Sequence, residues 1–410
     1  MSRKLKDWIS GYLEWTKEDE SPEIYRKWCA ISGLAACLQR KCYHRLGRLV
    51  FYPNFYIALV GPSGVRKSTA IAPIKTLLQE RGVELAASVT SKEKLIGAIV
   101  KLGSKDDMSA REGRERFLLD QPLSPHASLT AISGELILFF PQKDMGFVKY
   151  LLDLYDNPDV FIYDTYKRGE EMIENVWFNL LGGITPDELN RSMTEEMVGA
   201  GFLGRFIIVY ASKIGKLNGY PVETKEEKTL RRYLVEDMQS VLMMSGPFKP
   251  TPEWLELYLP WYENPETHQL FEGTKLDAYS TRRGSHIHKL SMISSASRND
   301  SRVMKAEDFE RAHFWLTQIE KRMLEAVGGI GSTQYGQNVD AVIGYLRSKG
   351  DKVPFSQLLS RFMTMIQQDD LMQILFALKQ TGTIELKNRL TGEPAPFDKE
   401  VVARYIPRGE

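Results

Sequence analysis

Apolar runs of strand length alternate with stretches of helical periodicity between residues 55 and 212 of the chain. Parallel strands need crossover helices between them, so this alternation predicts an α/β domain with a mostly parallel sheet. The strands are predicted at residues 56–60, 86–90, 126–133, 177–181 and 207–211, and the first two crossover helices at residues 69–81 and 91–101.

The regions on either side of this core carry helical periodicity. Residues 1–50 are predicted to be an N-terminal helical segment, and Ser21, Pro22 and Glu23 form a typical helix start within it. Residues 213–330 are predicted to be a helical lid that follows the core at residues 51–212. The lid helices are expected at residues 226–244, 252–262, 274–296 and 306–327.

A glycine-rich stretch at residues 328–333 is a plausible linker to a last, smaller domain. Beyond it, three short helical patterns precede two strand-like runs. This order predicts a winged-helix domain over residues 335–410. Winged helices bind DNA through one helix in the major groove, but many serve only as protein contacts, so both alternatives stay open.

The composition narrows the class of protein only slightly. The 410 residues include 54 Lys and Arg against 53 Asp and Glu, a net charge of +1, which neither supports nor excludes a nucleic-acid partner. The sparse, odd set of cysteines (Cys29, Cys37 and Cys42) suggests a reducing compartment. There is neither a signal-peptide pattern nor an apolar run of membrane-spanning length. We therefore expect a soluble protein of the bacterial or phage-infected host cytoplasm, without a membrane partner.

The strongest motif follows the first predicted strand of the core. It nearly matches the phosphate-binding loop G-x-x-x-x-G-K-[ST], in which backbone N–H groups at a helix N-terminus bind phosphates. Lys67 would reach the β- and γ-phosphates of ATP, and Ser68 would ligate Mg²⁺. The nucleotide-binding residues predicted here are Gly61, Pro62, Ser63, Gly64, Val65, Arg66, Lys67, Ser68 and Thr69.

The motif departs from its usual form at one position, where Arg66 stands in place of the last glycine. The arginine implies either a different loop geometry or a phosphate contact of its own. The alternative is a glycine-rich turn that carries a lysine by chance. The strand–loop–helix context favours the phosphate loop over that alternative.

The strand predicted at residues 126–133 ends in Ser133, Gly134 and Glu135. In ATPases with phosphate loops, a carboxylate pair at such a strand end serves Mg²⁺ and the attacking water. Gly134 stands where the metal-side aspartate is expected, and Glu135 stands where the water-activating glutamate is expected. Asp153 or Asp156 would then have to complete the Mg²⁺ site. The alternative for Glu135 is a first-turn glutamate that interacts with a helix dipole.

Two further polar residues flank buried strands. Thr185 follows the strand at 177–181 and is predicted to lie near the γ-phosphate. Arg205 lies in Gly201-Phe-Leu-Gly-Arg-Phe206, just before the last core strand, and could stabilise charge that develops on a transferring phosphoryl group. An arginine supplied across a subunit boundary is one way to do so.

Two basic features are candidates for contact with nucleic acid. Residues 159–176 predict a β-hairpin with Lys167 and Arg168 at its tip, which either contact a phosphate backbone or lie in a solvated turn. A cluster before the first core strand is either a solvated surface or a contact with DNA or another subunit. The cluster consists of Arg40, Lys41, His44, Arg45 and Arg48.

This order of motifs resembles an AAA+ ATPase. Gly201-Phe-Leu-Gly-Arg-Phe206 is similar to the Ser-Arg-Phe arginine finger of the minichromosome-maintenance helicases, and the hairpin occupies the place of their pre-sensor-1 hairpin. Residues from about 8 to 325 resemble AAA+ proteins of phages and mobile elements that are associated with primases or helicases. Arg66 and Gly134 depart from the usual pattern.

The resemblance implies roles for several residues. Glu135 would be the catalytic glutamate, Thr185 would stand at sensor 1, and Arg205 would act on the nucleotide of a neighbouring subunit. A sensor 2 arginine would come from the lid, with Arg282 or Arg283 as the candidates. The nearby His286 and His288 are expected to be polar helix residues, since two histidines without a third ligand do not make a zinc site.

The sequence thus predicts a ring-forming, ATP-dependent DNA helicase or translocase in phage or mobile-element replication. ATP and Mg²⁺ would be its cofactors, the homo-oligomer would be a hexamer, and single-stranded DNA would pass through its central pore. A primase or other replication proteins would be further partners. The alternatives are an ATP-switched helicase loader or initiator, and an AAA+ ATPase that remodels proteins without unwinding DNA.

Overall fold

The computed structural model describes residues 3–86, 92–103, 126–139, 145–165, 169–327, 334–349, 352–363, 365–388 and 401–406. The chain forms two compact units, Met1–Ile330 and Gly331–Glu410. The boundary lies in the stretch predicted to be a linker, and the division of the first unit into a helical segment, a core and a lid stays a prediction.

The core of the first unit is a four-stranded sheet in the order β4-β7-β3-β8, and its neighbouring strands are all parallel. Helices on the sheet's faces leave almost every strand residue buried, which explains the near-continuous apolar runs in the sequence. The mixed α/β character predicted from the sequence is therefore confirmed. The strands are Tyr56–Val60 (β3), Ala127–Ser133 (β4), Val176–Ile184 (β7) and Phe206–Tyr210 (β8).

The strand predicted at residues 86–90 is only partly covered by the described residues. Leu85 forms a parallel bridge to Thr130 of β4, so the chain does reach the outer side of β4 at that point. Residues 87–91 lie outside the described residues.

Helices of the first unit pack around this sheet and follow the predicted periodicity closely. The predicted start at Ser21, Pro22 and Glu23 is found one residue later, with Pro22 at the N-cap of its helix. Thr224 caps another helix, and its side chain and Glu227 form a reciprocal capping box. The described α-helices are Trp8–Trp15 (α1), Glu23–Leu38 (α2), Lys67–Glu80 (α3), Lys92–Gly103 (α4), Met145–Tyr155 (α5), Pro186–Ser192 (α6), Glu195–Gly199 (α7), Lys225–Leu242 (α8), Pro252–Glu263 (α9), Asp277–Ser280 (α10), Arg283–Arg298 (α11) and Ala306–Val327 (α12).

A second sheet in the first unit corrects the prediction that residues 1–50 and 213–330 are helical. Its order is β10-β9-β1-β2, and β1 and β9 pair in parallel although Cys42 and Gly246 are far apart in the chain. Two prolines in β9 argue against a strand when only the local sequence is considered. The strands are Cys42–Leu46 (β1), Leu49–Phe51 (β2), Gly246–Pro250 (β9) and Val303–Met304 (β10).

The predicted hairpin is present as Val160–Thr165 (β5) and Gly169–Glu174 (β6), which pair antiparallel from Val160 and Glu174 outwards. One face of the hairpin is buried through Phe161, Tyr163 and Ile173. The continuous helix predicted at residues 274–296 is wrong, because the chain turns between α10 and α11.

The second unit has its own hydrophobic core and a three-stranded sheet in the order β11-β13-β12. The three predicted helices and the two later strands are present, and a short strand between the first and second helices was not predicted. Assignment to the winged-helix fold stays a prediction. The elements are Gln334–Lys349 (α13), Val353–Pro354 (β11), Phe355–Phe362 (α14), Gln368–Gln380 (α15), Ile384–Asn388 (β12) and Val401–Tyr405 (β13).

Within the described part of the chain, no helix combines the length and the apolar character that crossing a membrane requires.

Candidate nucleotide site

The predicted phosphate loop joins the carboxyl end of β3 to the first turn of α3. Lys67, Ser68 and Thr69 occupy that first turn, where free backbone N–H groups favour an anion. Gly64 has φ +86°, and Arg66 caps the helix in the left-handed region with φ +63°. Glycine reaches this region without strain, whereas an arginine there costs roughly 1–2 kcal/mol. The sequence departure at Arg66 therefore keeps the loop's shape at a cost in stability.

Lys67 folds back onto its own loop. Its ammonium donates hydrogen bonds to the carbonyl oxygens of Gly61 at 2.6 Å and Pro62 at 3.0 Å. Partial burial lowers the pKa of Lys67, and the negative charge of Glu188 opposes that shift. The lysine thus lies over the loop and can exchange these carbonyl contacts for phosphate oxygens.

The end of β4 lies directly against the first turn of α3. A Cβ atom built on Gly183 of β7 would lie 2.9 Å from the carbonyl oxygen of Gly134 and 3.1 Å from Cβ of Lys67. Glycine at 183 is therefore needed for this close approach. The geometry brings Lys67, Ser68 and the end of β4 together, as the motif spacing requires.

Glu135 follows Gly134 at the same sheet edge, with an exposed side chain. Its backbone N–H donates to the Ser133 hydroxyl at 3.2 Å, and that hydroxyl donates to the Glu135 carbonyl at 3.0 Å. The local turn therefore fixes the backbone and leaves the carboxylate facing outwards. This position suits the role predicted for Glu135.

Thr185 caps α6 at the carboxyl end of β7, next to the end of β3. Its backbone N–H and its hydroxyl both donate to one carboxylate oxygen of Glu188, at 3.0 Å and 2.9 Å. Glu188 in turn donates its N–H to the Thr185 hydroxyl at 3.2 Å, which completes a capping box. The predicted sensor residue is thus also a helix cap.

Glu188 is a residue of the site that motif reasoning missed. The negative charge of its carboxylate favours the protonated form of Lys67, and the carboxylate accepts a hydrogen bond from the hydroxyl of Thr185. The signal was present in the sequence as Thr185-Pro-Asp-Glu188, a capping-box spacing directly after a buried strand.

A second missed contact fixes the outer side of the phosphate loop. Glu20 accepts from Nε of Arg66 at 2.6 Å and from the backbone N–H of Asn218 at 3.2 Å. Residues before α2 and after β8 are therefore connected to the loop through Arg66. Nothing in the local sequence of these segments indicates that they meet.

Arg205 lies at the amino ends of the sheet strands, whereas the phosphate loop lies at their carboxyl ends. Phe206 pairs with Tyr56 at the amino end of β3, whereas the phosphate loop begins after Val60. At about 3.3 Å per strand residue, the two sites lie about 20 Å apart within one chain. Arg205 therefore does not reach the phosphate loop of its own chain, as an arginine that acts across a subunit boundary requires.

This placement also corrects the expectation that Asp153 or Asp156 completes a Mg²⁺ site. Asp156 accepts a hydrogen bond from Nη2 of Arg205 at 2.7 Å. Asp153 is close enough for the charges of Asp156 and Arg205 to shift its pKa. Both carboxylates thus belong to the edge away from Ser68. Among the described residues, no three His, Cys, Asp or Glu side chains are placed to hold a metal ion together.

The two candidates for sensor 2 differ completely in their surroundings. Arg282 lies beside Arg205, since a Cβ atom built on Gly201 would be 3.6 Å from one guanidinium and 3.7 Å from the other. Burial and the charge of Arg205 lower the pKa of Arg282. Like Arg205, Arg282 is therefore far from the phosphate loop of its own chain.

Arg283, in contrast, is a structural residue, and its assignment to the nucleotide is wrong for this structure. It is buried and donates to both carboxylate oxygens of Glu320, at 2.7 Å and 3.0 Å. It also donates to the carbonyl of Thr267 at 2.7 Å. A guanidinium held in this way is not available to a phosphate.

A buried lysine lies within the electrostatic range of the arginine pair. Lys289 donates to the side-chain oxygen of Asn54 at 2.8 Å and lies 4.2 Å from the centre of the Tyr155 ring. Burial lowers its pKa to about 7, with Arg205 and Arg282 acting in the same direction and Asp156 against them. This lysine was not expected from the sequence, where it is one position in a helical pattern.

The histidines His286 and His288 lie in helix α11, as predicted, and both are buried. His288 lies between aromatic rings, with Phe51 at 4.6 Å and His44 at 4.9 Å between ring centres. Burial lowers the pKa of His288 to about 3 and that of His286 well below its usual value. Both rings are therefore neutral core residues.

The basic cluster before β3 divides into two groups. Arg40, Lys41 and His44 are buried, so the solvated surface does not fit them. Arg45 and Arg48 are exposed on the β1–β2 hairpin. Lys167 and Arg168 at the tip of the β5–β6 hairpin lie outside the described residues.

No protein-family model matches the chain, and no curated protein matches its sequence. The resemblance to AAA+ ATPases therefore rests on the motifs and on the geometry described above.

Proposed function

We propose that the chain is an ATP-dependent, ring-forming AAA+ ATPase that moves single-stranded DNA, and that it acts as a helicase or translocase in phage or mobile-element replication. The observation that carries this proposal is the meeting of Lys67, Ser68 and the Gly134–Glu135 strand end at one edge of a parallel sheet. Ligands of open α/β sheets bind at the carboxyl ends of the strands, where the strand order reverses.

In this proposal the phosphates of ATP lie on the N–H groups of the loop and against the Lys67 ammonium. Glu135 orients a water for attack on the γ-phosphorus, and the bond to the β–γ bridging oxygen breaks to give ADP and phosphate. Thr185, fixed by Glu188, would contact the γ-phosphate from the neighbouring strand. Mg²⁺ at Ser68 and the phosphate oxygens would neutralise the charge that develops there.

The separation between the phosphate loop and Arg205 supports the proposed ring. Because the two lie at opposite ends of the sheet strands, a head-to-tail contact between copies would bring Arg205 of one to the nucleotide of the next. Arg282 lies beside Arg205, so both cations would arrive together. The hexamer and the central pore lined by the β5–β6 hairpins are implied by the resemblance to AAA+ helicases.

For the second unit we propose contacts with protein. Asp369 and Asp370 are exposed in the first turn of α15, the helix that would enter the major groove in a DNA-binding winged helix. Two carboxylates there oppose approach to phosphates. A primase or another replication protein is the partner that suits the proposed activity.

The test is ATP hydrolysis by the full chain with and without single-stranded DNA. Stimulation by DNA that is lost in Lys67→Ala and Arg205→Ala, but kept in the exposed control Lys213→Ala, is the expected result. Hydrolysis that DNA does not change would contradict the motor. Hydrolysis that survives in Lys67→Ala would contradict the assigned nucleotide site.

One observation favours a second candidate, the ATP-switched loader or initiator. Gly134 contributes no carboxylate beside Ser68, where the usual ATPase carries an aspartate. A switch of this kind would bind ATP tightly and assemble on it, with slow turnover and no unwinding. If the chain assembles with ATP but shows no appreciable hydrolysis, the loader or initiator is supported over the motor.

A further inference from the structure

A polar cavity of about 360 Å³ opens beside the β1–β2 hairpin of the first unit. Its lining includes Tyr43, Arg45 and Tyr52 from the hairpin and the segment after it, together with Asn175 and Gly246. A cavity of this size can hold one nucleotide, since small-ligand sites range from about 300 to 1,000 Å³. It lies at the amino ends of the core strands, away from the phosphate loop.

Two tyrosines give this cavity an aromatic wall. The rings of Tyr43 and Tyr52 are half-buried, with centres 6.4 Å apart and planes at 55°. The guanidinium of Arg40 lies 4.4 Å from the centre of the Tyr52 ring and therefore covers that ring in part. Tyr43 is thus the ring that can stack on a base, which is how proteins bind single strands without sequence preference.

Cations also line the cavity. Arg45 is exposed and has no ion-pair partner among the residues that the structure describes. Arg40 and Lys41 are buried, and the carboxylate of Asp159 is paired with Arg40. None of the described lining residues is acidic, so the cavity carries positive charge, which favours a phosphate next to an aromatic face.

The cavity shares a wall with the base of the β5–β6 hairpin. The N–H of Asn175 donates to the carbonyl of Asp159 at 2.8 Å and closes that base. The guanidinium of Arg40 also binds the base of the hairpin, because it donates hydrogen bonds to the carbonyls of Asn157 at 2.7 Å and Val176 at 2.6 Å. A ligand in the cavity would thus contact the part of the chain from which the hairpin projects.

We propose that this cavity binds one nucleotide of single-stranded nucleic acid, with its base against Tyr43 and its phosphate at Arg45. The proposal rests on the proposed function, because it gives the strand a second contact behind the hairpin tip. It differs in that the site lies between the second sheet and the amino ends of the core strands, away from the phosphate loop.

The test compares two arginines of the same hairpin. Arg48 lies in the β1–β2 turn, is exposed, and does not line the cavity, so Arg48→Gln is a matched control for Arg45→Gln. Binding of fluorescent dT20 and rU20 to the full chain is measured by anisotropy at several salt concentrations. We expect Arg45→Gln to weaken binding at least about fivefold and to reduce the salt slope by about 0.7. Arg48→Gln should change affinity less than about twofold.

Two variants of Tyr43 test the predicted stacking of its ring on a base. Tyr43→Leu should weaken binding about tenfold, whereas Tyr43→Phe, which keeps the ring, should bind as the wild type does. Equal effects of the two arginine variants, or unchanged binding by Tyr43→Leu, would overturn the proposal. Displacement of the oligonucleotides by thymidine monophosphate at equal nucleotide concentration would also overturn it, in favour of a site for free nucleotides.

Failure of the cavity and failure of the proposed function give different results. If the wild-type chain binds the oligonucleotides but the arginine variants behave alike, only the cavity is excluded. If it binds neither oligonucleotide, both the cavity and the DNA motor fail. The effect of Lys67→Ala on ATP hydrolysis still tests the ATPase independently.

Discussion

A Cβ atom built on Gly134 would lie 3.3 Å from the hydroxyl oxygen of Ser68. A side chain at position 134 would therefore enter the space beside the hydroxyl that is predicted to ligate Mg²⁺. ATPases with phosphate loops usually carry an aspartate at the corresponding position, and this chain has a glycine. Position 134 is therefore one at which a carboxylate can be placed beside Ser68 to test the proposed function.

Gly134→Asp is expected to increase ATP turnover at least about tenfold, because a carboxylate beside Ser68 strengthens stabilisation of charge in the transition state. The contact is tight, so Gly134→Asn, which has nearly the same shape without the charge, is the control. Steady-state hydrolysis is measured for both variants. Equal rates in the two variants would show that Gly134 does not limit turnover.

Arg205 and Lys67 lie at opposite ends of the sheet strands, and this separation predicts complementation between inactive variants. In an equal mixture of Lys67→Ala and Arg205→Ala chains, about a quarter of the interfaces would join an intact Lys67 to an intact Arg205. The mixture should therefore recover about a quarter of wild-type ATP hydrolysis. The measurement is the rate after the two variants are mixed before assembly with nucleotide.

A mixture of Lys67→Ala with the double variant Lys67→Ala/Arg205→Ala is the control, since no interface in it carries both residues. Recovery in the first mixture alone supports a finger that acts between subunits. Two inactive mixtures from chains that still assemble would contradict it.

Arg66 makes a prediction about stability. Its φ of +63° is strained for arginine and relaxed for glycine. Arg66→Gly and Arg66→Ala both lose the exposed ion pair to Glu20, so their difference isolates the backbone strain. We expect Arg66→Gly to exceed Arg66→Ala by about 1 kcal/mol in the free energy of unfolding of the first unit. Urea denaturation followed by tryptophan fluorescence measures it, and equal stabilities would contradict the strain.

The parts of the fold that could be predicted are those with local signals. The phosphate loop is one continuous segment, and the parallel strands are recognisable as apolar runs between amphipathic helices. The second sheet could not be predicted, because its parallel pairing joins Cys42 to Gly246 and its third strand contains two prolines. Its stability comes from contacts distant in sequence.

The residues of the candidate site likewise divide into those predictable from local motifs and those that depend on contacts distant in sequence. Lys67, Ser68 and Glu135 were predicted from motif spacing, whereas the electrostatic effect of Glu188 on Lys67 depends on how β7 lies beside β3. The choice between Arg282 and Arg283 also needed the structure. Both are adjacent cations in one sequence, and only the position of Glu320 on α12 shows which of them is buried in an ion pair.

The buried histidines predict how stability depends on pH. The pKa of His288 is about 3 in the folded chain, so its ring stays neutral there, whereas in the unfolded chain it gains a proton below about 6.5. A lowered folded-state pKa means that stability is lost as the pH falls. Between pH 7 and pH 5 His288 alone should account for a loss of about 2 kcal/mol in the free energy of unfolding.

His288→Phe should remove that part of the loss, because a phenyl ring suits the surroundings of Phe51, Trp254 and Tyr258 and does not titrate. The free energy of unfolding is measured by urea denaturation at pH 7 and pH 5 for wild type and variant. His268→Phe, outside this cluster, is the matched control. A wild-type loss that His288→Phe leaves unchanged would mean that other groups cause the acid sensitivity. Since the comparison is between two pH values of the same variant, a change in packing at position 288 cancels.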